Sequence, residues 1–200
     1  MALYEVPVDV KPLRRNRALG HKIVMSMLPS NVFDSTAPRG DAQALWWLDE
    51  DNASLLVSTQ TPLVRGQYTE LPQQELPKKG DRVEFDVDMT LMYSPVATVP
   101  QELWDAGYRP KRGRRVMVPA ERREEVATQR LEKHGVTVHS LTVGNPVPFP
   151  LHTKGRDSRL SALPVNVTAT VTDPEAFHQA MTQGIGRLRN YGAGLIRLAA

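Results

Sequence analysis

Gly184, Gly186, Gly192 and Gly194 fall close together, with Arg187, Arg189 and Tyr191 between them. Glycine tolerates positive φ and lets a backbone approach a ligand closely, so successive N–H groups can converge on one anion. The two arginines would add charge-assisted hydrogen bonds, and Tyr191 a stacking face. A tight turn with solvated arginines is the competing reading. A dinucleotide fingerprint does not fit, because Arg189 stands where the third glycine belongs and the loop follows a helical pattern instead of opening one. A P-loop fails for want of its Gly-Lys-Ser/Thr. The other chemistry-bearing residues are five histidines, His21, His134, His139, His152 and His178. They are scattered, and none stands at metal-ligand spacing. Neither a metal nor a small-molecule cofactor is expected.

Charge distribution says more than the net +3. Lys11, Arg14, Arg15, Arg17 and Lys22 precede Phe33 with no acid among them. Arg109, Lys111, Arg112, Arg114, Arg115, Arg122 and Arg123 face Glu121 alone. Such clustering is the electrostatic footprint of a polyanion binder. The absence of cysteine excludes disulfides and thiolate metal sites and suits a reducing cytoplasm. Apolar runs such as "HKIVMSML" and "ASLLV" fall short of the roughly 20 residues of a membrane span. The acidic residues Glu5 and Asp9 argue against a signal peptide.

Elements to position these residues follow from periodicity. Residues 2–10 predict a strand, and Leu19, Ile23, Val24, Met27 and Leu28 predict a helix that stops near Pro29. "AQALWWLD" and "ASLLVSTQ" predict a hairpin. Its adjacent Trp46 and Trp47 must face opposite sides, and both are best read as structural. "TPLVRGQYTELPQQELPKKG" reads as loop. Val83, Phe85, Val87, Met89 and Leu91 alternate as a strand predicted to run to about Val99. Pro119 opens a helix that stops at Gly135, with Val126 and Leu131 inward. Two strands follow, "VTVHSLTVGN" and "LPVNVTATVT", separated by a loop, "PFPLHTKGRDSR". A helix capped by Asp173 comes next, and "AGLIRL" closes as a strand. The order predicts an α+β protein of two tandem ferredoxin-like (RRM-like, βαββαβ) domains, 1–94 and 95–200, joined within residues 90–100 by a strand that can serve both.

The C-terminal stretch carries a resemblance. Val171, Asp173, Pro174, Phe177 and then Gly184 through Leu195 follow the "V-x-D-P-x-x-F" and "G-I-G-R-x-K-x-[YF]-G-x-G-L-L" signature of the CasE family. These are RAMP-type CRISPR endoribonucleases of the type I-E Cascade complex. "LGHKIVMSMLP" resembles the family's first helix, and "QALWWLDEDNASLLVSTQTP" its hairpin. "KRGRRVMVPAERREEVATQRLEKHGVTV" is similar to a further segment, more loosely. The resemblance covers the whole chain and implies two ferredoxin-like units.

It also implies an activity, metal-independent cleavage of CRISPR repeat RNA at the 3′ base of its stem. The protein would then stay on the crRNA 3′ hairpin beside other Cascade subunits. RNA supplies its own nucleophile, the 2′-OH, so the protein has to move protons and steady charge on phosphorus. The resemblance places His21 on the catalytic histidine, as general base or general acid. Where the family commonly has a tyrosine one helical turn earlier, this chain has Ala18. Either a tyrosine from elsewhere, such as Tyr191, substitutes, or the chain holds the hairpin without cutting it. Arg112, Arg114, Arg115, Arg122 and Arg123 are the candidates to follow the stem phosphates, with Lys22 beside His21. Lys154, Arg156 and Arg159 form a second basic loop. Gly184, Gly186, Arg187, Arg189, Tyr191, Gly192 and Gly194 complete the expected RNA contacts.

Overall fold

The computed structural model describes residues 1–30, 44–95, 99–109, 113–153 and 156–199, without the side chains of Thr153, Arg156 and Arg159. The first half is built on β1 (Ala2–Pro7), β2 (Leu45–Asp49), β3 (Ser54–Thr59) and the two-residue β4 (Thr69–Glu70). They form one antiparallel sheet in the order β2-β3-β1-β4. Two helices, α1 (Val10–Arg15) and α2 (Ala18–Met27), connect β1 to β2. Asp9 starts α1 by accepting from Lys11 N–H at 3.0 Å, a helix that hydrophobic spacing did not announce. The β2–β3 hairpin forms as predicted, with Trp46 opposite Val57. Tyr4, Val24, Trp46, Leu55 and Val57 are at its buried centre.

The second sheet takes β5 (Arg82–Met89), β8 (Val136–Val143), β10 (Arg156–Val171) and β11 (Arg197–Leu198) in the antiparallel order β11-β5-β10-β8. Its helices are α4 (Arg123–Glu132) and α5 (Pro174–Gln183). Both sheets thus have the strand order of a ferredoxin-like fold, and the first lacks a helix between β3 and β4. Asp173 caps α5 by accepting from Ala176 N–H at 3.1 Å, as its position predicted. Gly135 follows α4 at φ +81°, also as predicted.

Three expectations need correction. The strand at Val83–Met89 does not end the first unit or serve both, for among the described residues it pairs with β10 and β11 alone. Its Val83, Phe85, Val87 and Met89 pack with Val165, Val167, Phe177 and Met181, and alternation cannot say which sheet supplies those partners. The change of sheet falls between Glu70 and Arg82. The strand also stops at Met89 instead of running on to Val99. It is followed by β6 (Met92–Tyr93), α3 (Gln101–Asp105) and β7 (Val116–Met117), with β6 paired to β7. Finally, the described residues of "PFPLHTKGRDSR" are strand and not loop. β9 (Val147–Thr153) pairs with the first half of β10 from Arg156↔Thr153 to Ala162↔Val147. Two prolines at alternate positions, Pro148 and Pro150, hid this strand, although proline is tolerated where no neighbour needs its N–H. Among the described residues no helix is long and apolar enough to cross a membrane.

Candidate nucleic-acid interface

His21 lies one turn into α2, and the start of that helix is fixed by the other half of the molecule. Asn16 Oδ1 accepts from Ala18 N–H at 3.1 Å and from His152 N–H at 3.0 Å. Asn16 Nδ2 donates to the His152 carbonyl, and Arg17 N–H donates to the Pro150 carbonyl at 2.9 Å. Arg17 is 5% exposed, its guanidinium stacked 4.6 Å over the Phe149 ring and paired with Glu50 at 3.5 Å. Burial lowers its pKa and Glu50 partly offsets that. Polar groups of α2 and β9 thereby set where His21 sits.

Trp46 brings the glycine loop to the same place. A Cβ on Gly20 would lie 2.4 Å from Trp46 Cη2, and one on Gly192 would lie 2.6 Å from Cζ3. Both glycines are therefore seated directly on the indole, and Trp46 Nε1–H donates to the Asn190 carbonyl at 3.2 Å. The result is an edge-on contact between the rings of His21 and Tyr191, with centroids 6.3 Å apart at 63°. Tyr191 belongs to a 3-10 turn over Arg189–Tyr191 whose preceding residue, Leu188, is left-handed at φ +63°. Packing of Leu188 on Phe149, Ala162 and Ala193 holds that unfavourable backbone in place.

The loop glycines divide by task. Gly192 and Gly194 both have positive φ and no room for a Cβ; on Gly194 it would lie 2.4 Å from the Ile185 carbonyl oxygen. Gly184 ends α5 at φ +75° among Leu45, Arg189 and Gly194. Only Gly186 of the four is exposed. Arg189 turns back to donate to the Gln183 carbonyl, closing the end of α5. Arg187 stays exposed, its N–H donating to Thr90 Oγ1 at 3.3 Å.

The remaining expected contacts are dispersed. Lys22 is exposed beside His21, and Arg114 and Arg115 are exposed before β7. Arg122 pairs with Glu125 at 3.5 Å. Arg123 Nε donates to the Val118 carbonyl at 3.1 Å and so braces its own helix start. Arg112 and Lys154 lie outside the described residues, as do the side chains of Arg156 and Arg159. Arg130 and Lys133 escaped the sequence reading. Arg130 on α4 and Lys133 just past its end line a cleft with Arg115 and Arg187, and their three-residue spacing was the only available signal. Three of the other histidines have structural partners. His139 meets Thr170, His152 meets Asp157, and His178 meets the Pro77 carbonyl.

The fold has known counterparts. Over 100% of this chain and 100% of theirs, it superposes on the CRISPR endoribonuclease Cse3 bound to 19-nucleotide RNA, at a TM-score of 0.73 and 19% identity. Thermus thermophilus Cse3, bound to an RNA representing a pre-cleavage complex, gives 0.71 at 18% identity, with 100% of this chain and 98% of that one covered. Cas6e of Escherichia coli K-12 gives 0.70 at 18% identity, with 100% and 99% covered. These likenesses establish the shared fold. No curated protein sequence matches the chain. A family model described as CRISPR associated protein matches residues 5–200, and the chain belongs to that family.

Proposed function

We propose that this chain is a CasE-type endoribonuclease that cleaves CRISPR repeat RNA at the base of its stem–loop. It then remains on the crRNA 3′ hairpin as a Cascade subunit in the cytoplasm. The observation that carries this reading is the meeting of His21 with Tyr191 across the two halves. The Cse3 relatives of this fold, solved with RNA, support the substrate class. In the reaction the 2′-OH attacks the adjacent phosphorus, its proton leaves to a base, and the 5′-oxygen departs with a proton. The products are a 2′,3′-cyclic phosphate and a free 5′-OH. The nucleophile is part of the substrate, so no metal-activated water is needed.

His21 takes or gives one of these protons, being a half-buried imidazole whose ordinary pKa lies near neutrality. Tyr191 supplies a hydroxyl beside His21 as the second proton-transferring group, in place of the family tyrosine that Ala18 cannot provide. Lys22 and Arg187 steady the charge on phosphorus, since preorganised cations act where charge develops. Arg114 reaches backbone phosphates of the hairpin, together with Arg112, Arg122, Lys154, Arg156 and Arg159, while Arg115 meets the RNA beside Arg187; Arg123, Arg189 and the glycines Gly184, Gly192 and Gly194 hold the surface in shape.

The test is incubation of the protein with end-labelled hairpin repeat RNA in EDTA. A single cut is expected, lost with His21→Ala and lost with a 2′-deoxy at the cleavage nucleotide. Tight binding without a cut would support the second reading, a hairpin-holding subunit, which Ala18 favours. Neither binding nor cutting would overturn both.

A further inference from the structure

The cleft between α4 and the glycine loop is unusual in its charge. It encloses about 490 Å³, and its cationic lining comes from Arg115, Arg130, Lys133 and Arg187, without a carboxylate among the lining residues. A second hollow shares Thr90, Met92, Arg115 and Arg187 with it and extends it past Arg114 to Leu160 and Leu188. Among the described residues no ion pair involves any of these arginines or Lys133. Arg130 is the most telling. Its Nη1 and Nη2 donate to the Thr90 and Met92 carbonyls at 2.6 and 3.0 Å, so the guanidinium is fixed in place while its charge remains uncompensated. Burial depresses its pKa with no neighbouring acid to offset the effect. Uncompensated, half-buried cations held in position are costly unless an anion arrives.

We infer that this cleft binds an unpaired RNA segment, with its phosphates on Arg115, Arg130, Lys133 and Arg187 and a base against Met92 and Tyr93. A space of about 490 Å³ has room for a nucleotide or so, which suits a single strand entering it. The exposed ring of Tyr93 at the rim suits a base face more than an acidic peptide. Direction comes from the chain itself. Arg187 and Tyr191 lie on one loop, so a strand leaving the cleft along that loop reaches His21. The segment bound is therefore the single strand flanking the scissile bond. This rests on the reading of the chain as an RNA binder, though not on its being an active nuclease.

The experiment uses the whole protein and a short fluorescent oligouridylate, with affinity measured across a salt series. Arg115→Ala/Lys133→Ala removes two exposed cations and is compared with Lys78→Ala/Lys79→Ala, which makes the same charge change at exposed residues that do not line the cleft. The cleft variant should bind roughly tenfold or more weakly, and its log–log salt slope should flatten by about 1.4, or about 0.7 for each lost phosphate contact. The loop variant should match wild type, and a short blunt RNA duplex should not distinguish the cleft variant from it. Equal losses in both variants, or none in either, would overturn the inference. So would a glutamate-rich peptide that displaces the oligouridylate from wild type and binds tighter than it. A cleft-specific loss in a protein that cuts no repeat RNA would sustain the cleft while the nuclease reading failed.

Discussion

At the scale of single residues, Tyr191 carries the sharpest consequence. Ala18 is buried at 6% exposure, so the position one turn before His21 does not offer a side chain to the surface. If the Tyr191 hydroxyl takes its part, Tyr191→Phe keeps the ring contact and loses only the oxygen. Single-turnover cleavage should then slow about 100-fold with RNA affinity unchanged. A rate equal to wild type would reduce Tyr191 to a packing role. His134 makes a second prediction. It lines the basic cleft beside Arg115, Arg130, Lys133 and Arg187, and burial lowers its pKa below the ordinary 6.5. The unfolded chain therefore binds a proton first as pH falls, and stability that is complete above about pH 6.5 is lost from there down through the folded value. Tm measured against pH should fall over that window, and His134→Gln should fall less.

Within and between elements, close packing on Trp46 dominates. Gly20→Ala would drive a Cβ into the indole, and Gly192→Ala would add a left-handed backbone at φ +90° to the same clash. Each should lower stability by roughly 1–3 kcal/mol in urea unfolding. Each should also slow cleavage, because the displaced ring is what holds His21 against Tyr191. This task of the glycines was hidden in the sequence. Their density announced a special backbone, and their spacing did not fit a dinucleotide fingerprint. It could not show that an indole from residue 46 fills the space beneath them. Helix caps and alternation, which depend on neighbours in sequence, were legible at Asp173, Gly135 and the β2–β3 hairpin. What failed were the features set by distant partners. Among them are the sheet to which β5 belongs, the β9 strand disguised by prolines, and the Arg130–Lys133 pair at the end of α4, which acquires meaning only opposite Arg187.

For the molecule as a whole, the two sheets are joined by half-buried polar groups as well as by apolar contact. Trp47 of β2 donates to Asp88 of β5 at 3.0 Å, and Arg197 of β11 lies 4.1 Å over the Trp47 ring while pairing with Asp88 at 3.5 Å. Asp88→Ala takes the ion-pair partner from a mostly buried guanidinium and frees the indole N–H. Removal of a charged hydrogen-bonding partner from such a site should cost roughly 1.5–3 kcal/mol in urea unfolding. The same variant should loosen the two halves relative to each other, seen as a cleavage defect larger than any loss of RNA affinity. An unchanged unfolding midpoint would mean that the apolar contacts alone suffice.

The Trp46–Asn190 bond spans 144 positions of sequence, and it fastens the residues that face His21. On the ribosome, at about 5–20 residues per second, those positions take roughly 7–30 s to appear. During that interval the first sheet and α2 can form while Tyr191 does not yet exist. A nascent chain would thus present α2 and His21 well before Tyr191, and any step that needs both residues waits until synthesis is nearly finished.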